Sequence, residues 1–203
     1  MKKAVKMIWC TIGILVLFCI GTFAADKCML RNELIRLHVI ANSDSEHDQN
    51  VKLAVRDTVV RYLQESMGAI ENANAAQDYL LKHMDELTEE VHKTLVNLGE
   101  PMDATVVLGK VGFDRRDYKT FSLPAGIYNT LQVCIGKAEG ENWWCVAFPS
   151  LCLPASTEGF TQAAVAAGMN DGLAASLADN SHYTVRFYIL DCFGKLERYF
   201  FDK

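Results

Sequence analysis

The chain has 203 residues, half of them hydrophobic and 22% charged, with a formal net charge of −5. This is enough apolar material for one domain with a substantial core. The acidic balance and the lack of any basic run exclude nucleic-acid binding and attraction to an anionic membrane surface.

Lys2, Lys3 and Lys6 precede an apolar run over residues 7–20, and Thr22-Phe23-Ala24 supplies the small residues a signal peptidase reads. The expectation is a signal peptide over residues 1–24, or an uncleaved anchor over 7–25, in either case placing a single α+β domain (25–203) outside the cytoplasm. Cleavage removes three lysines and no acid, moving the net charge from −5 to −8. Of seven cysteines, Cys10 and Cys19 lie in the leader, and Cys28, Cys134, Cys145, Cys152 and Cys192 remain. An exported chain favours disulfides, yet an odd number leaves at least one thiol over. No CxxC occurs, so neither a thioredoxin-type pair nor a zinc ribbon is indicated.

Residues 34–42 (LIRLHVIAN) read as a first strand. Ser43 followed by Glu46 fits a capping box, with Asp44, Glu46 and Asp48 suited to a helix N-terminus. The helix behind it carries Val51, Val55, Val59, Tyr62 and Leu63 and ends near Gly68. A second helix is expected over 74–98, with a stripe of Leu80, Met84, Leu87, Val91, Leu95 and Leu98 to pack on a sheet. Gly99, Glu100 and Pro101 stop it. From Asp103 the period switches to two, and strands are expected over 104–110, 119–123, 126–136 and 143–148. A hairpin turn at Glu139-Gly140 would set Cys134 opposite Cys145 and Gly136 opposite Trp143, giving Gly136 and Gly140 structural roles. Residues 149–156 read as irregular and 160–179 as mostly helical, with interruptions at Gly168 and Gly172. Residues 183–191 and 196–201 read as closing strands. The order predicts an α+β fold with helices on one face of a mainly antiparallel sheet.

Residues 141–152 (ENWWCVAFPSLC) are the most specific stretch. Adjacent tryptophans in a strand must point to opposite faces, so one enters the core and the other covers a second layer or a partner. Trp144 shares a face with Val146 and Phe148 in plain alternation and is expected in the core. Trp143, with Asn142 and Pro149, is then the expected partner-binding surface.

Catalytic and metal signatures are weak by comparison. None of the five histidines has metal-ligand spacing, the acids at 44–48 suit capping rather than calcium, and no GxSxG, Walker or DTG pattern occurs. A Cys–His pair brought together by folding would be the basis of a thiol-dependent hydrolase. A cell-envelope binding or structural domain is a third class.

Pro124-Ala125-Gly126-Ile127-Tyr128, Ile135-Gly136 and the run from Gly140 to Cys152 (GENWWCVAFPSLC) resemble the signature of the stage II sporulation protein R family. So does the run from Ile35 to Ser45 (IRLHVIANSDS), followed by Asp48-Gln49 and Val55-Arg56-Asp57. Ala147 and Ser150 stand where Leu and a second Pro are expected. The resemblance implies a protein made in the forespore and exported into the space between the forespore and mother-cell membranes. It would trigger a membrane-bound aspartic protease that cuts the sigma-E precursor. The family member would be the signal and not the enzyme, with no cofactor, metal or small-molecule substrate, and would meet the membrane only through an uncleaved leader. Both Cys145 and Cys152 fall in the resemblance block, which favours their pairing over the alternative Cys134–Cys145. Closing so short a loop stabilises by about 2–3 kcal/mol in the chain-entropy picture.

N-terminal sequencing of the protein from sporulating cells is expected to begin at Ala25; an intact Met1 in the membrane fraction would establish the anchor instead.

Overall fold

The computed structural model describes residues 32–118, 121–149, 159–166, 169, 171–178 and 185–201, with residues 6–7, 9–14, 18 and 21 of the leader. Among the described residues no helix is long and apolar enough to cross a membrane. The cleavage motif at 22–24 lies outside them.

The fold is α+β, built on a mixed four-stranded sheet. Strand β1 (Ile35–Ile40) is followed by helices α1 (Glu46–Met67), α2 (Ala73–Lys82) and α3 (Met84–Asn97). Then come β2 (Ala104–Phe113), the short β3 (Arg116–Asp117) and β4 (Ser122–Leu123), β5 (Gly126–Ile135) and β6 (Asn142–Phe148). Helices α4 (Gly159–Ala166), α5 (Asp171–Ala178) and α6 (Val185–Phe201) complete the described chain. The sheet order is β2-β5-β1-β6, and β3 and β4 pair separately.

The central position of β1 corrects the expected hairpin. β1 runs parallel to β5 and antiparallel to β6, so it separates the two strands that were expected to pair. Cys134 is level with Ile40 and Cys145 with Leu37, on opposite sides of β1. Their disulfide is thereby excluded, and Trp143 faces Val39 rather than Gly136. The sheet is accordingly mixed, with one parallel pair, β1–β5, between two antiparallel ones.

Both faces are covered, where one had been expected. On the first, Ile35, Leu37, Val39, Leu131 and Val133 pack against Val55, Val59 and Leu63 of α1, Leu80 of α2 and Leu87, Val91 and Leu95 of α3. The predicted stripe therefore packs from Leu80 to Leu95, with Leu98 exposed past the helix end, and His83 breaks it into two helices; its φ of −112° and ψ of 19° depart from helical values. On the second face, Leu34, Phe113, Phe121, Leu123, Tyr128 and Val146 pack with Ala164 of α4, Met169, and Ala174 and Leu177 of α5.

The closing segment is helical, correcting the two strands expected at 183–191 and 196–201. Its contacts recur at helical spacing: Asp191 Oδ1 accepts from Ala125 N at 2.7 Å, and a Cβ on Gly194 would fall on the Ala125 carbonyl. One turn further on, Arg198 pairs with Asp114 at 2.7 Å. A short alternating run satisfies both periods, and tertiary contacts decide.

Helix α1 starts from Ser45, whose Oγ accepts from Asp48 N at 3.1 Å. The expected Ser43/Glu46 box is not formed. Glu46 is exposed in the first turn, while Ser43 is drawn into the loop and donates to Asp48 Oδ2 at 2.5 Å. To reach β6 from β5, residues 136–141 must cross the end of β1. Gly140 N donates to Ala41 O at 3.0 Å, and a Cβ at Gly140 would meet the Ser43 carbonyl oxygen. Gly136, at φ +56°, lies against the Asn42 side chain. Both glycines are structural, for the crossing rather than for a hairpin turn. Gly140→Ala is expected to lower unfolding free energy by about 1–3 kcal/mol, as overpacking does, measured by urea denaturation; a variant as stable as wild type would show that the loop has another way across.

Candidate functional site

The stretches singled out in the sequence are far apart in the chain and are drawn together at one end of the β1–β6 pair. Glu141 N donates to Asp44 Oδ1 at 2.6 Å across 97 positions, and Lys137 N donates to Asn42 Oδ1 at 3.0 Å. Gln49 Nε2 donates to Ser43 O at 2.9 Å, and Gln49 Oε1 accepts from Lys52 Nζ, which also donates to Glu141 O at 3.1 Å. Asp48 closes this network by accepting from Asn42 Nδ2 at 2.8 Å as well as from Ser43. These two hydrogen bonds, Ser43's first, hold its carboxyl below the usual carboxylate range.

Arg56 of α1 reaches the neighbouring strand. Its guanidinium carbon lies 5.2 Å from the Trp143 ring, and its Nε donates to Asp57 Oδ1 at 2.8 Å. Trp143 therefore packs on the α1–α3 side, against the first core. Trp144 points the other way, stacked on His38 with ring centroids 3.6 Å apart and edge-on to Phe113 at 4.8 Å. Trp143, expected to face away from the helices, thus packs on them instead, while Trp144 shares its face with Val146 as expected. Plain alternation groups Trp144 with Phe148, but the register between β1 and β6 shifts at Ile35/Arg36, so Phe148 joins Cys145 and Ala147 in the first core. Both tryptophans are half-buried, Trp143 against the first core and Trp144 against the second. Asn142 is exposed beside them. Pro149 is buried and, with Met67, Gly68, Ile70, Ala163 and Ala166, lines a cleft of ≈ 190 Å³.

Cys145 carries a free thiol, buried on the α1–α3 side, its Sγ 3.8 Å from Val146 O. Cys152, its expected partner, lies outside the described residues. No cluster of His, Cys, Asp or Glu suited to a metal occurs among the described residues.

The second face holds a polar and aromatic cluster that sequence reasoning missed. Arg36 is fully buried, its guanidinium carbon 3.6 Å from the Phe113 ring centroid and 5.1 Å from that of Tyr128. Its Nη2 donates to Tyr118 Oη at 3.0 Å, and its Nε and Nη1 have no hydrogen-bond partner. Tyr128, from the Pro124–Tyr128 stretch, donates to Pro124 O at 2.7 Å, which fixes its ring. Arg116 lies 5.3 Å from the Trp144 ring. The signal was present in IRLHVI, whose polar side chains fall on every second position, but that pattern reads as a solvent face.

His38 is 5% exposed, and burial pulls its pKa down to about 4, a hydrogen bond from the imidazole to Asn142 opposing and Arg36 and Arg116 adding to the shift. Because the folded value lies below the ordinary 6.5, the unfolded chain binds the extra proton between those limits. Native stability from this group is intact above pH 6.5 and falls as pH drops toward 4. The loss reaches about 2 kcal/mol at pH 5. His38→Phe, which keeps a ring against Trp144, is expected to shrink the pH 7-to-5 difference in unfolding free energy by that amount. An unchanged difference would place the acid sensitivity elsewhere.

No solved structure matches the chain. Stage II sporulation protein R of Bacillus subtilis (strain 168) is 31% identical over 124 residues, which cover 61% of this chain and 55% of that protein. The chain thus spans about half the length of the curated relative it matches. The family model described as stage II sporulation protein R matches residues 31–158, a span that holds the sheet, α1–α3 and both interlocked stretches. The chain belongs to the stage II sporulation protein R family.

Proposed function

We propose that this sporulation protein is an exported signal that activates a membrane-bound aspartic protease, which in turn processes the sigma-E precursor. The observation that carries the reading is how the residues of the two stretches that resemble the family are used. Asn42, Ser43, Asp44, Asp48, Gln49 and Glu141 hydrogen-bond to one another and hold Trp143 and Trp144 at fixed positions on the two sheet faces. A rigid loop network presenting aromatic and charged side chains is the construction of a recognition surface, where preorganised anchors carry most of the binding energy.

The thiol-hydrolase reading fits less well. Activation of a cysteine needs a base within hydrogen-bond reach. His38 stacks on Trp144 on one face of the sheet, and Cys145 lies in the core on the other. His182 lies outside the described residues.

Export fits the leader, whose lysines precede its apolar run. The forespore as source and the intermembrane space as destination are part of the same proposal. Deletion of the gene, followed by blotting for the sigma precursor in sporulating cells, is expected to show the precursor accumulating uncut. Normal processing in the deletion strain would remove the signalling role and leave an envelope protein of sporulation.

A further inference from the structure

We infer that the outward face of α6 is a contact surface for a second copy of this chain, which pairs with it about a two-fold axis near Leu196. This face lies beyond the residues 31–158 matched by the family model, and the contact does not require the signalling role proposed above.

A helix on the surface of a domain ordinarily turns its apolar stripe inward and its charges to water. α6 does the reverse. Asp191, Gly194 and Arg198, three and four positions apart, face the domain. Asp191 Oδ1 accepts from Ala125 N at 2.7 Å, Gly194 lies against the Ala125 carbonyl, and Arg198 pairs with Asp114 at 2.7 Å. Phe193, Leu196 and Phe200 repeat that spacing two positions on, which is about 200° round the helix. These three, with Tyr199 on their flank, are each more than half exposed. The leader does not cover them with its described apolar residues, since Met7, Trp9 and Phe18 are exposed themselves. The fastening of α6 is therefore polar, and its apolar stripe is left over.

Area and chemistry point to a second copy as what covers it. At about 200 Å² for each large side chain, the exposed fractions leave on the order of 450 Å² of contiguous apolar surface, the upper range for a monomer. Two such stripes laid together bury about 900 Å², and the rim brings the contact to the roughly 1,000 Å² that a specific interface needs. A two-fold contact gives each stripe an equal stripe: Leu196 lies near its twin, with Phe193 and Phe200 on either side. Cys192 stands on the rim, exposed and free, beside Phe193 and one turn before Leu196. A surface thiol left over from an odd number is itself a mark of contact between copies in an exported chain. A bilayer fits the face less well, because a helix lying in a membrane surface carries free cations beside its apolar stripe. Here Lys195 lies 3.6 Å from Asp191, Arg198 is held by Asp114, and the chain is acidic, at −5.

The test is sedimentation equilibrium of the purified full chain, kept reduced. A reversible monomer–dimer equilibrium is expected. Phe193→Ser combined with Phe200→Ser is expected to weaken the dimer at least tenfold while leaving thermal unfolding unchanged, since both positions are exposed. Val96→Ser, at an apolar position of α3 more exposed than any in the stripe, is expected to leave the dimer as it was. Maleimide labelling of Cys192, located by peptide mapping, is expected to slow as the dimer forms, and in the double variant to keep one rate at every concentration. A chain that stays monomeric, a dimer that survives the double substitution as a leader-driven one would, or Cys192 labelling indifferent to concentration would each overturn the proposal. So would a monomer that floats with phosphatidylcholine or phosphatidylglycerol vesicles and loses them in the double variant, which would give the face to a bilayer.

Discussion

The structure turns on where β1 lies. A strand inserted between β5 and β6 obliges the chain to pass over the end of β1 within six residues, 136–141. At that crossing two backbones must come close without side chains between them. Gly136 and Gly140 permit the approach, and Asn42 and Asp44 convert it into hydrogen bonds with Lys137 N and Glu141 N. Each donor and acceptor left unmade in such a place would cost about 1–3 kcal/mol. The same residues also shape the approach to helix α1, since Ser43 and Asn42 converge on Asp48, whose backbone N–H is capped by Ser45. The crossing therefore fixes the start of α1 and the position of β6 together, and with them both tryptophans.

That interlock explains what could be read from the sequence and what could not. β1, α1, β2, β5 and β6 are plain in their periodicity because each has a single buried face or a long apolar stripe. Their pairing is not plain, because Glu139-Gly140 has the chemistry of a tight hairpin turn and a nearby strand pair is the economical reading. What defeats it is a long-range partner, β1, whose claim on both neighbours rests on apolar side chains on one face and Arg36 and His38 on the other. Capping is a similar case. Ser43 and Glu46 have the right spacing, but Ser43 is taken by the crossing, and the helix begins from the next serine able to cap it.

The tryptophan faces show how a single irregularity propagates. Strict alternation along residues 142–148 puts Trp144, Val146 and Phe148 together, and two of those three do share a face. The register shift near Ile35/Arg36 turns Phe148 to the other side, and the inference that rested on its apolar character fails with it. Bulges leave no mark in a sequence of apolar residues, so this could only come from the folded chain. The Arg36–His38 cluster was hidden for a different reason. Alternating polar residues normally face water, and only the aromatic rings of Phe113, Tyr128 and Trp144, from three other strands, turn that face into an interior.

The covering of the second face bears on how the domain is held. The family match ends at residue 158, yet α4 and α5 beyond it supply Ala164, Ala174 and Leu177 to the cluster around Leu34, Phe113 and Tyr128. α6 is fastened differently, by the polar contact of Asp191 with Ala125 N, the close approach at Gly194 and the Arg198–Asp114 pair, while Phe193, Leu196, Tyr199 and Phe200 stay exposed. Ala125 belongs to the same Pro124–Tyr128 stretch whose tyrosine lies beside Arg36. The start of β5 is thus the point where the helical cover and the arginine cluster meet.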